Sequence, residues 1–214
     1  MARKPYHIAD EVAERITKKI SREFRHNRLA LFDEMNVLQT RKHTKKLYDK
    51  IYKIVLVDFA DVIDLIYGEV YDEAVDMGFE GKRTELDENW VEEFLADFSP
   101  TTKYVFRNEL ERKKARQFEA LVASKKEKSS TYKTSEKLVR KQVEEYAIEF
   151  EDAVTEQVYR DLNVPKVQWV AEDDDKTCSV CNELDGQIFD LDKVPPKQHW
   201  NCRCHIVAVP EHTI

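Results

Sequence analysis

Four glycines and six prolines are the only residues of these two types among 214, and their placement limits what the backbone can become. Proline is excluded from helix interiors, so two proline-free blocks, 6–99 and 101–164, are free to be helical throughout. Within them apolar residues recur every three or four positions. One series runs Tyr48, Ile51, Tyr52, Val55, Phe59, Val62, Ile66, Val70, and another Val139, Val143, Tyr146, Phe150, Val154, Val158, Leu162. Helices are predicted over 6–27, 42–77, 87–97, 102–127 and 135–163, joined at Ser99-Pro100 and over Lys125 to Lys133. The stretch Ser124 to Ser130 has a linker's composition.

After Pro165 the pattern changes to short β-like runs, Val167 to Ala171, Gln187 to Leu191 and Ile206 to Val209, and all four cysteines follow it. The expected fold is mainly α: an extended helical body, 1–164, followed by a small α+β module, 165–214, built on a short β-hairpin and resembling a zinc knuckle. Residues are 36% charged and mean hydropathy is −0.65, so much of the surface is wet. The apolar run Ile54 to Val57 is far short of the ~20 residues that span a bilayer, and no membrane contact is expected. Met1 to Asp10 lacks the apolar core of a signal peptide. A reducing cytoplasm is therefore expected, with the cysteines as thiols or thiolates.

Charge is blocked along the chain. Net values are +7 for 1–53, −12 for 54–100, +8 for 101–141, −6 for 142–163 and −4 for 164–214. One reading packs helix faces of opposite sign against each other. The other turns a basic block toward nucleic acid or an acidic partner. An overall pI near 5.5 excludes a general DNA binder.

The tail carries the chemistry. It reads Thr177-Cys178-Ser-Val-Cys181, then His199-Trp-Asn-Cys202-Arg-Cys204-His205. Two ligand pairs about 20 residues apart are the spacing of a metal knuckle, and a small module in a reducing compartment needs such a staple. Zinc takes four ligands, and five residues compete: Cys178, Cys181, His199, Cys202 and Cys204, with His205 a weaker sixth. In an extended Cys202-Arg203-Cys204 segment both sulfurs point to one side, which favours the four cysteines. The set Cys178, Cys181, His199, Cys202 is a close alternative, since His199 and Cys202 can share a turn. Disulfides or plain thiols are the non-metal readings.

A closed four-ligand site is structural, because catalysis needs an open position. The chain has no glycine-rich phosphate loop, no His-Glu-x-x-His and no deaminase His-x-Glu with Pro-Cys-x-x-Cys. It is expected not to be an enzyme. The acidic run Glu172 to Asp175 reads as a solvated turn. A zinc-knuckle regulator binding nucleic acid directly is the alternative of another class. It would want basic and aromatic residues around the knuckle, where this module is acidic and offers Trp169, Phe189 and Trp200.

The ordered set Trp169, Asp175, Thr177-Cys178, Cys181, Leu184-Asp185-Gly186, Pro195-Pro196, His199 and Cys202-Arg203-Cys204 resembles the C-terminal module of the phage head morphogenesis, Mu F-like minor capsid proteins. The resemblance covers about 165–209 and departs from the family at Trp200, where proline is usual after the histidine. It implies a low-copy minor capsid protein of a tailed phage, made in the host cytoplasm and carried in the virion at the portal vertex inside the head. Its implied partners are the portal protein, capsid or scaffold protein and packaged DNA, with several copies per virion and a role in assembly or genome packaging and ejection.

Overall fold

The computed structural model describes residues 5–30, 35–96, 105–123, 128–172, 177–197, 199 and 202–210. Six helices and three strands follow in order: α1 (His7–Ala30), α2 (Val37–Asp76), α3 (Glu88–Ala96), α4 (Phe106–Ala123), α5 (Lys128–Asp161), β1 (Lys166–Val170), α6 (Ser179–Leu184), β2 (Ile188–Asp190) and β3 (His205–Ala208). The mainly helical body and the small C-terminal module are both present. The module's β structure is a three-stranded antiparallel sheet of order β2-β1-β3 rather than a lone hairpin.

Local chemistry sets the helix ends. Asn36 and Gln39 form a reciprocal capping box, each side chain accepting from the other's backbone N–H at 2.9 Å, which starts α2 at Val37 rather than near 42. α2 ends at Gly78, in the left-handed region at φ 94°, with Gly78 N donating to Val75 O and Phe79 N to Ala74 O. α5 ends the same way on Asn163, φ 54°, with Asn163 N to Arg160 O and Val164 N to Tyr159 O. α5 also begins earlier than predicted, so the joint read over Lys125 to Lys133 is already helical from Lys128, and Tyr132 is buried in the core. Ser124 to Glu127 and Ser99-Pro100 lie outside the described residues.

The bundle runs up, down, up, down, with α3 and α4 sharing the third position. At one end the Phe24 ring meets Tyr48 and Tyr132, each at 6.3 Å, and Tyr48 donates to Gln117 Oε1 at 2.8 Å. At the middle Phe59 stacks on Phe150 at 4.4 Å, with Phe94 edge-on to the same ring. At the other end Tyr67 bonds Asp161, and His7 lies 3.4 Å from Glu69.

This threading sorts the charge blocks in an unexpected way. Opposite blocks meet at buried Asp58, which takes Arg15 Nε at 2.6 Å and Lys19 Nζ at 2.7 Å. Opposite blocks meet again where Lys141 lies 3.5 Å from Glu145, while like signs are gathered toward the two ends. The lysines and arginines of α2's first half and of α4 share one end, as Arg41 over the Phe118 ring shows, while the acidic second half of α2 lies beside the acidic end of α5.

The module is not appended loosely. Val164, Val167 and Ala208 belong to the same buried cluster as the helices. Ala208 N donates to the Tyr159 hydroxyl at 3.2 Å. Within the body, Lys82 N donates to Asp161 O where Gly81 crosses the end of α5.

Candidate metal centre

Cys178 caps α6: its sulfur accepts from Cys181 N at 3.4 Å, and this amide bond holds its pKa below the ordinary thiol value. One turn later Cys181 is fully buried. The segment just before β3 places Cys202 and Cys204 in the same small core, packed with Trp169. In the chain as it stands, burial pushes the Cys181 thiol well up, and burial pushes Cys202 up to about 11. Burial therefore favours the protonated form of Cys181 and Cys202 unless a cation offsets the desolvation.

Two overlapping triads of donor atoms, each with all its separations within 4.8 Å, are Cys178, Cys181, His199 and Cys181, Cys202, Cys204. Cys181 belongs to both. Its sulfur stands 3.6 Å from His199 Nε2 and 3.7 Å from Cys202 Sγ. For a tetrahedral zinc, bond lengths near 2.3 Å to sulfur and 2.0 Å to nitrogen put ligand atoms about 3.8 Å (S to S) and about 3.5 Å (S to N) apart. The donor set fits that ion, and a sulfur separation of 3.7 Å is far beyond the ~2.05 Å of a disulfide. All five predicted ligands are brought together. His205 is not: it opens β3 and sets its ring edge-on to Tyr6 at 6.1 Å.

The turn residues between the two pairs have physical roles. Asp185 Oδ1 accepts from Ala171 N at 2.8 Å, tying the end of β1 to the knuckle. Gly186 at φ 75° lets the chain reverse so that its N–H reaches Trp169 O at 2.9 Å. Trp169 is buried against Cys181, Cys202 and Cys204, and no hydrogen-bond acceptor among the described residues meets its Nε1. Glu172 and Thr177 are described, with the Thr177 hydroxyl on Glu172 O. Asp173 to Asp175 and Trp200 lie outside the described residues.

The residues that hold this centre against the bundle were not found from sequence. Lys197 Nζ donates to Cys202 O and to the Tyr6 hydroxyl, each at 3.0 Å, and pairs with Asp152. Arg203 makes two bonds to Asp10, at 3.0 and 2.8 Å. Glu151, fully buried, accepts from Tyr6 N at 2.9 Å and Ala9 N at 3.0 Å, so a carboxylate from α5 caps α1. The available signal was Glu151 itself, an acid at helical spacing between Ala147 and Val154 on an apolar stripe. A cavity of about 650 Å³ between α1, α5 and this loop reaches His199, Cys202 and Cys204.

Fold and site together define a helical bundle whose C-terminal module is gathered around a cysteine and histidine cluster able to hold a metal ion. The profile of the Phage Mu protein F like protein family matches residues 101–207, half of the chain, and the chain belongs to that family. It is thus a phage head morphogenesis protein. The matched span takes in α4, α5 and the module, which agrees with the resemblance carried by Trp169 to Cys204. No curated protein and no solved structure matches the chain.

Proposed function

We propose that the chain is a minor capsid protein, held in low copy inside the phage head at the portal vertex, where it acts in assembly or in genome packaging and ejection. The observation that carries this reading is the family match, which spans helices and module as one unit. The role is structural rather than enzymatic. Four of Cys178, Cys181, His199, Cys202 and Cys204 hold one zinc, whose chemistry is to neutralise buried thiolates and so fix the knuckle on the sheet. The helical body docks on the portal protein, with capsid or scaffold protein as neighbours. Packaged DNA is the fitting partner for the exposed Arg22, Arg25, Lys137 and Arg140 of α1 and α5.

Mass spectrometry of purified heads, made with and without this chain, tests the reading. The chain should be found in heads at a few copies, and heads lacking it should be defective in assembly or DNA delivery. Heads that never contain it would overturn the proposal. DNA binding should fall steeply with salt, and salt-indifferent binding would remove DNA from the partners.

A further inference from the structure

The outward face of α2 carries a charge pattern centred on one residue. Val57 is exposed, and charged residues at equal distances to either side of it are opposite in sign. Lys53 and Asp61 lie 4 residues away, Lys50 and Asp64 lie 7 away, and Lys42 and Asp72 lie 15 away. At 11 residues stand Lys46 and Gly68. Offsets of 4, 7, 11 and 15 return to one helix face, and all of these residues are exposed except half-buried Gly68. The face is therefore basic on one side of Val57 and acidic on the other.

Helix stability does not account for the pattern. It sets positive charge toward the N-terminus and negative charge toward the C-terminus, against the helix dipole, with no acidic residue in the first turn and no basic residue in the last. Lys42, Lys46 and Lys50 are like-charged neighbours at i,i+4, as Asp61 and Asp64 are at i,i+3, which weakens an isolated helix. A surface that supplied the opposite charges in the reverse order would relieve both effects, and α2 itself is such a surface.

We propose that α2 pairs antiparallel with α2 of a second copy of this chain, about a two-fold axis at Val57. Each copy's Lys53, Lys50 and Lys42 then face Asp61, Asp64 and Asp72 of the other. Lys46 lies over Gly68, where a Cβ would meet nothing within 4 Å and a long side chain has room. Lys50 and Asp64 are themselves exposed and can bond across the seam while keeping their present partners Glu23 and Arg83. An isologous seam closes on itself and stops at a dimer. With Val57 at its centre and charge along most of its length, the seam is weak and screened by salt. The inference rests on the face of α2 alone and stands whatever the role of the chain in the head.

Sedimentation of the full chain over about 1 to 100 μM tests it. A monomer–dimer equilibrium is expected near 0.05 M salt, at least tenfold weaker near 0.5 M. K50E/K53E and D61K/D64K, each checked for helicity, should both be monomeric, because each faces like charge in its own dimer. Mixed together they should form a heterodimer, since the four acidic central positions of one now meet the four basic central positions of the other, and Lys42 still meets Asp72. A wild-type chain that stays monomeric at low salt, or double variants that dimerise alone like the wild type, would overturn the pairing. So would a mixture that stays monomeric while both variants are lost from heads, which would assign the face to another head protein.

Discussion

The Tyr6 hydroxyl lies 2.8 Å from the carbonyl oxygen of Cys204 and 2.7 Å from Asp152 Oδ1, so a residue at the start of the first helix braces the last stretch of the cysteine cluster. Tyr6 holds a left-handed backbone conformation, φ 60°, while Lys197 and Arg203 lie over its ring at 4.8 and 5.3 Å. Burial, with Asp152 beside it, keeps the phenol well above its ordinary pKa and therefore neutral. Tyr6→Phe keeps the packing and removes the hydroxyl. A loss of about 1–3 kcal/mol in urea unfolding is expected from the buried acceptors left unpaired. Zinc affinity should fall about tenfold as the support of Cys204 loosens.

Glu151 should matter more than its sequence position suggests. Glu151→Ala leaves the Tyr6 and Ala9 N–H groups buried without acceptors, at an expected cost of about 3 kcal/mol. Hydrogen exchange gives a local check. The first-turn amides of α1 should lose protection, while those near Phe59 and Phe150 keep theirs.

Much of this architecture was readable from spacing. The apolar stripe from Tyr48 to Val70 gave α2, and the change of texture at Pro165 gave the sheet, because periodicity reports burial directly. Helix starts were less legible where a short polar signal decides them, as with Asn36 and Gln39. The five candidate ligands were visible as a knuckle spacing. Their supports were not, because Tyr6, Asp10, Asp152 and Lys197 meet only when α1, α5 and the final loop pack. The charge blocks were legible as blocks, but whether opposite signs would meet depended on helix direction, which composition does not carry.

Gly81 is fixed by contact rather than by conformation. A Cβ there would lie 1.8 Å from the backbone oxygen of Asp161. Gly81→Ala should force the 79–87 connection off the end of α5 and cost at least about 2 kcal/mol, measured by chemical unfolding. A neutral result would mean that this crossing is looser than described.

Asp161 should contribute to the loss of stability in acid. Partial burial alone would raise its pKa, but bonds from Tyr67, Gln157 and both the amide and hydroxyl of Thr84 outweigh it and hold the pKa below the ordinary carboxyl value. A lowered folded-state pKa gives stability that is complete above the unfolded value of about 3.9 and is lost as pH falls through the folded value. Asp161→Asn should therefore lower stability at neutral pH, with the gap to wild type closing as the solution is acidified. A gap that stays constant to the lowest measurable pH would mean that the charge of Asp161 is not what the bonds hold.

The most direct test of the metal centre is the zinc content of the full chain, purified under reducing conditions without chelator. About one zinc per chain is expected, lost in Cys181→Ser, because Cys181 is common to both donor triads. His199→Ala and Cys204→Ser then choose the fourth ligand, according to which of them releases the ion. A wild-type chain with less than about a tenth of an equivalent, or a Cys181→Ser chain that keeps the full complement, would contradict a zinc held by this cluster.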